Sequence, residues 1–167
     1  MLAGKTATFL PKPIYGLAGS STHYHQLLQK NDQNRFYDSE GFSLLSQTAM
    51  HYIGGLLTHA PAVMAFTNPS SNSYRRLVPG FKAVRMEFRP PDATGNAYLS
   101  MAAMLLAGID GIQHQIDPTE AGFGPINENI FDWPEEKRAK IKSLPTSVEA
   151  AMQALESDSE FLKAGGI

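Results

Sequence analysis

The chain has 167 residues, a formal charge of −2, 43% hydrophobic and 18% charged residues, which is one domain's worth of sequence with enough apolar content for a core. The small negative charge offers nucleic acid or an acidic membrane no electrostatic handle. With no cysteine there are no disulfides and no thiolate metal sites, and no apolar run approaches the ~20 residues that span a bilayer.

Lys5 and Lys12 interrupt the start, so it does not resemble a secretory leader, and residues 1–167 read as a single soluble, cytoplasmic domain. Thr6 to Leu10 alternates like a strand and is closed by Pro11-Lys12-Pro13, which cannot continue a ladder. Gly16 to Ser21 is a small-residue turn through which backbone N–H groups can approach a ligand. The stretch from Gly19 to Leu28 then reads as a strand. Side chains at i and i+2 leave the same face of a strand, so His23 and His25 point together and Tyr24 points away. Two imidazoles in one space suit a metal or a ligand; they also suit a pair of partly buried structural histidines.

Gln29 to Glu40 is polar and reads as a loop. Ser43 opens a helical pattern carried by Leu44, Leu45, Thr48, Tyr52, Leu56 and Leu57. Gly54-Gly55 weakens its middle, and Pro61 is expected to kink or restart it before Phe66. His51 and His59 on this helix lie about 80° apart around the axis, which makes them poor co-ligands and favours structural roles.

Asn68 to Tyr74 is rich in turn residues and feeds Arg75-Arg76-Leu77-Val78-Pro79-Gly80. Adjacent arginines between a polar loop and a Pro-Gly turn can offer a guanidinium fork to a carboxylate or phosphate. In Val84 to Arg89 the alternation puts Arg85, Glu87 and Arg89 on one face and Val84, Met86 and Phe88 on the other. That pattern serves an edge strand with solvated charges or an ion-lined face in which Glu87 ligates and Arg89 grips an anion. Asn96 is a candidate N-cap for a helix through Ile112, whose Met and Leu stripe is core, stopped at Asp117-Pro118. Thr146-Ser147-Val148-Glu149 reads as a capping box for a short helix through Leu155. The fold expectation is α+β: antiparallel strands from about Thr6 to Leu28 and Val84 to Arg89, with helices on one face.

Five collinear segments carry a resemblance: residues 4–13, His23-Tyr24-His25-Gln26, residues 68–80, Glu87-Phe88-Arg89 with Pro91-Asp92, and residues 107–112. Together they resemble the C-terminal catalytic domain of glutamine synthetase of the bacterial and archaeal dodecameric type. The resemblance implies ATP-dependent joining of ammonia to the γ-carboxylate of glutamate through γ-glutamyl phosphate, with Mg²⁺ or Mn²⁺ and a homo-oligomer. By position it implies that His23 and Glu87 ligate a metal and that His25, Gln26 and Leu27 lie where ATP is held. It further implies that Gly19, Arg76 and Arg89 hold glutamate, with Arg76 also placed to stabilise the phosphorylated intermediate.

The resemblance has departures. Between Ala83 and Val84 the family carries a few tens of further residues, with arginines and a lysine that bind ATP. Lys82 stands where the family's flap has a glutamate, and Leu17-Ala18 where it has Asp-Asn. Leu27 replaces a hydroxyl residue, and Phe131 stands at the tyrosine that some relatives adenylylate. The preceding strands, the N-terminal β-grasp domain and the last C-terminal helices have no counterpart in the chain. Three readings follow: part of a glutamine synthetase or of a γ-glutamyl-amine ligase, inactive as the 167-residue chain alone; a non-catalytic, degenerate fragment; or an unrelated metal hydrolase using His23, His25 and Glu87, which leaves the Arg76 motif unexplained.

Overall fold

A computed structural model describes residues 3–77, 88–124, 126 and 129–166, without the side chain of Phe131. Helices packed with a small antiparallel sheet make up the architecture. Thr6–Leu10, expected as a strand, is exposed and carries no ladder among the described residues, because alternation alone forms no sheet without a partner to take its N–H and C=O groups. Gly19 to Leu28, also expected as a strand, makes among the described residues one antiparallel bridge, Tyr24 to Phe88. The regular pairing among the described residues falls where a loop was expected: β1 (Gln29–Lys30) and β2 (Gln33–Asn34) form a hairpin. Asn31 and Asp32 take positive φ of 52° and 58° at its tip, the left-handed conformation that two-residue hairpins require and that Asn and Asp tolerate.

The long helix α1 (Gln47–Thr67) begins at Ser46, whose hydroxyl accepts the Ala49 amide at 3.1 Å, so it starts three residues after Ser43. Ser43 itself sits in a 3₁₀ turn at φ 53°. Pro61 withholds one backbone donor, yet α1 stays one element through it. After the short α2 (Ser71–Tyr74) comes α3 (Ala97–Gln113), capped by Asn96, which accepts from Tyr98 and Leu99. A Schellman closure ends α3: Gln115 takes φ 52°, and the Ile116 amide reaches the Gly111 carbonyl at 2.9 Å. The stop therefore precedes Asp117-Pro118.

Helices α1 and α3 form the central packing pair. A Cβ on Gly55 would collide with the Ala107 carbonyl and with Gly111, so the glycines that lower helix propensity are the surface that lets the two backbones touch. Around this contact Phe36, Tyr52, Leu56, Val63, Met104, Ala107 and Phe161 form the core. The short α4 (Glu135–Arg138) is followed by α5 (Val148–Ser157), capped by Ser147 and packed on α1, and by a 3₁₀ turn at Glu160–Lys163. Among the described residues no helix is long and apolar enough to cross a membrane.

Candidate functional site

Three of the segments singled out in the sequence, around residues 11–20, 68–76 and 89–92, meet at the C-terminal end of α1. Asn72 on α2 holds Lys12 by a two-way clip: its Oδ1 accepts the Lys12 amide at 2.7 Å and its Nδ2 donates to the Lys12 carbonyl at 3.0 Å. This docks Pro11-Lys12-Pro13, and the Ser20 amide returns to the Pro11 carbonyl at 2.9 Å. The chain thus closes a loop over residues 11–20.

Gly19 lies against Arg76. A Cβ there would overlap the Pro11 carbonyl and press on the Arg76 Cγ at 3.0 Å, so the close approach excludes any side chain. The Arg76 guanidinium donates through Nη2 to the carbonyls of Arg89 and Pro91, each at 3.2 Å, and to that of Pro90. Its Nε is buried with no hydrogen-bond partner among the described residues. Burial lowers the Arg76 pKa, Arg89 lowers it further, and Asp92 opposes both.

The segment after Arg89 is held from below. Asn68, fully buried at the end of α1, donates Nδ2 to the Pro90 carbonyl at 2.6 Å and to Asp92 Oδ2 at 3.2 Å. Thr67 Oγ1 donates to Asn68 Oδ1 at 2.6 Å, and Asp92 Oδ1 accepts the Thr94 amide at 3.0 Å and its hydroxyl. A buried carboxylate satisfied in this way is stable without solvent. The sequence reading missed Asn68, Asn72 and Asp92 as individual contributors. Their only signal was polar residues beside prolines, which turns also produce.

From Tyr24 to Leu28 inward and outward side chains alternate. Tyr24 and Leu28 pack on the core while His25 and Leu27 are exposed. His23 is half-buried, its Nε2 2.8 Å from Ser21 Oγ. Gln26 turns inward: the Tyr52 hydroxyl donates to its Oε1, and its Nε2 faces Met104 Sδ at 3.7 Å. Its side chain is therefore engaged in the interior, and its backbone alone remains on the side of His25 and Leu27. Arg89 is exposed, and Glu87 and Lys82 lie outside the described residues. Among the described residues no three His, Asp, Glu or Cys side chains converge on a point that could hold a metal, so these residues by themselves complete no metal centre. Beside the docked loop, Lys12, Pro13, Tyr15, Gly16 and Arg75 line an open cavity of about 630 Å³. Its two cations suit an anionic ligand.

A family model described as glutamine synthetase, catalytic domain, matches residues 2–84 and 81–165. The chain is 44% identical to a glutamine synthetase of Streptomyces filamentosus over 190 aligned positions, 23 more than its own 167 residues. That alignment covers 98% of this chain and 40% of the relative. A glutamine synthetase of Nostoc sp. is 45% identical over 98% of this chain and 39% of its own length. Two solved structures are similar. One, described as "Apo GmaS without ligand", has a TM-score of 0.78 at 35% identity, covering 95% of this chain and 40% of that one. The other, a Plasmodium falciparum glutamine synthetase, has a TM-score of 0.71 at 27% identity over 95% and 42%. The chain spans about two-fifths of the length of these relatives.

Proposed function

The chain belongs to the glutamine synthetase catalytic-domain family, and from that premise we propose that the complete protein joins ammonia to the γ-carboxylate of glutamate at the expense of ATP. In this reading a γ-carboxylate oxygen attacks the γ-phosphorus of ATP and ADP departs. Ammonia then attacks the acyl carbon of γ-glutamyl phosphate, loses a proton, and phosphate leaves with the former carboxylate oxygen.

The observation that carries the reading is the contact of Gly19 with Arg76 beside the Arg89–Pro91 backbone, which unites three stretches distant in sequence. Gly19, Arg76 and Arg89 are the proposed glutamate-holding residues. The Nη2 of Arg76 is committed to backbone carbonyls, so its role is to present a fixed positive charge, which stabilises a developing phosphoryl anion without reorganising. His25 and Leu27 face outward, as a nucleotide contact needs, and Gln26 contributes through its backbone. His23 and Glu87 are the proposed pair for Mg²⁺ or Mn²⁺, an ion whose chemistry is to neutralise phosphate charge. Homo-oligomerisation is part of the proposal, because active sites in the family lie between subunits.

A second reading, a non-catalytic piece of such an enzyme, is supported by the alignment. The two matched stretches meet at residues 81–84 and the aligned length exceeds the chain, as follows if an internal family segment has no counterpart near 83/84. Phosphate release measured with ATP, Mg²⁺, glutamate and ammonium separates the two. Release by a protein of the relatives' length that needs all four components supports the ligase, and no release from that protein supports the non-catalytic piece. Release from the 167-residue chain itself would show that the absent parts are dispensable.

A further inference from the structure

Away from this site, His59 on α1 is 8% exposed and engages a carboxylate at each ring nitrogen. Its Nδ1 lies 2.8 Å from Asp158 Oδ2, and its Nε2 lies 3.0 Å from Asp110 Oδ2. Asp110 belongs to α3 and Asp158 is the residue that ends α5. The ring stacks on Phe161 in the 3₁₀ turn, centroids 4.5 Å apart and planes 21° from parallel. One imidazole therefore touches every helical piece that holds the last part of the chain.

The hydrogen count decides what this arrangement needs. An ionised carboxylate only accepts, and a neutral imidazole has one N–H and one lone pair. Both contacts are donor–acceptor contacts only when both ring nitrogens carry hydrogen; otherwise a lone pair faces a carboxylate oxygen. Among the described residues, His114 is a further titratable group at the cluster, exposed, its Nδ1 3.1 Å from Asp110 Oδ1. In the 3₁₀ turn, Lys163 pairs with Glu160 at 2.8 Å, and Phe161 brings no charge.

We propose that His59 is a proton-operated latch that fastens residues 148–158 to the α1–α3 pair and releases them when one ring nitrogen loses its hydrogen. The segment is suited to release. Helix α5 has 10 residues with Ala151 as its buried side chain, too short to stay helical undocked, since isolated helices below ~12–15 residues are marginal. The α1–α3 contact is close-packed through Gly55 and Gly111, so it keeps that packing when the His59–Asp110 bond between the two helices is lost. Losing either ring hydrogen leaves a lone pair facing a carboxylate oxygen at one of the two contacts.

Amide hydrogen exchange of the chain, with each rate divided by the unfolded rate at the same pH, tests this. Protection of the Ala151 and Asp158 amides should fall about tenfold along the alkaline limb while that of Leu56 and Ala107 holds, local opening being separable from global unfolding. His59→Gln should show low protection at 151 and 158 with no alkaline limb, and His114→Gln should keep the wild-type limb. A flat wild-type profile, a limb that survives His59→Gln, or one that vanishes in His114→Gln overturns the latch. Should His59→Gln fail to fold, ¹⁵N signals of the wild-type His59 ring decide: two N–H groups at the pH of greatest protection support it, and one N–H overturns it.

Discussion

Asn68 and Arg76 donate to the same acceptor, the Pro90 carbonyl, Asn68 through Nδ2 at 2.6 Å and Arg76 through Nη2. The backbone between Arg89 and Asp92 is thereby gripped by the end of α1 and by the turn after α2. An exposed Arg89 side chain starts from a fixed point, which is what a substrate-gripping arginine requires. Asp92, 3% exposed, completes the clip by accepting from Asn68 and Thr94.

Asn68→Ala removes a donor shared by two buried acceptors and an acceptor for Thr67. It is expected to cost about 2–4 kcal/mol, as expected when a buried network is left half satisfied. Urea unfolding measures this, and a loss below about 0.5 kcal/mol would show that the network is not what holds residues 89–92.

Gly55→Ala drives a methyl group into the Ala107 carbonyl and the Gly111 backbone, neither of which can turn aside. The expected destabilisation is about 2–4 kcal/mol, the cost of overpacking exceeding the helix propensity that alanine adds. A thermal midpoint equal to wild type would contradict the close approach of α1 and α3.

These two substitutions also mark what the sequence could disclose. Asn96 was legible as a cap because a cap is local to one helix, whereas the Met and Leu stripe expected as core is largely exposed at Met101 and Leu105, the buried face being Ala103, Met104 and Ala107, because the small residues that admit α1 decide which side packs. Gly54-Gly55 read as weakness because its use depends on α3, far along the chain. Thr6–Leu10 carried strand alternation but no ladder partner among the described residues, and Asn31-Asp32 signalled a hairpin only through its turn because its flanks are polar on both faces. Within the site, Gly19 and Arg76 were readable from motif. Asn68 and Asp92 were not, since a polar residue in a turn and one that braces a buried segment are the same letters until burial is known. His59 was expected to be structural, and its two carboxylates come from elements that no spacing rule connects.

The Tyr74 hydroxyl is buried without a hydrogen-bond partner among the described residues. Tyr74→Phe should therefore be neutral or stabilising by up to about 1 kcal/mol. Tyr52→Phe, which strips Gln26 Oε1 of its donor, should cost about 1 kcal/mol. Denaturant midpoints compare the two, and the reverse order would refute the assignment of partners.

Burial pushes the phenols of Tyr52 and Tyr74 up to about 12 from 10.0, with Asp92 and Glu149 adding to the rise at Tyr74. The unfolded chain releases these protons first, so their contribution is intact below pH 10 and is lost as pH climbs from 10 toward 12. Stability should fall there by on the order of 1 kcal/mol per pH unit per phenol. The Tyr52→Phe, Tyr74→Phe double variant should flatten that decline in equilibrium unfolding, and an equally steep decline would place the alkaline sensitivity elsewhere.

In a complete protein, Arg76→Ala should lower turnover by about two orders of magnitude, the usual consequence of deleting a preorganised charge at the reacting group. The ATP dissociation constant should stay within about threefold of wild type. Unchanged turnover with weakened ATP binding would move Arg76 from the phosphoryl group to the nucleotide.

The central claim is that a γ-carboxylate is phosphorylated and then captured by ammonia. Glutamate labelled with ¹⁸O in its γ-carboxylate, incubated with ATP, Mg²⁺, ammonium and a protein of the relatives' length, tests it directly. The account predicts one labelled oxygen in each phosphate released, because the attacking carboxylate oxygen departs with the phosphoryl group. Glutamate-dependent phosphate that carries no label would contradict it.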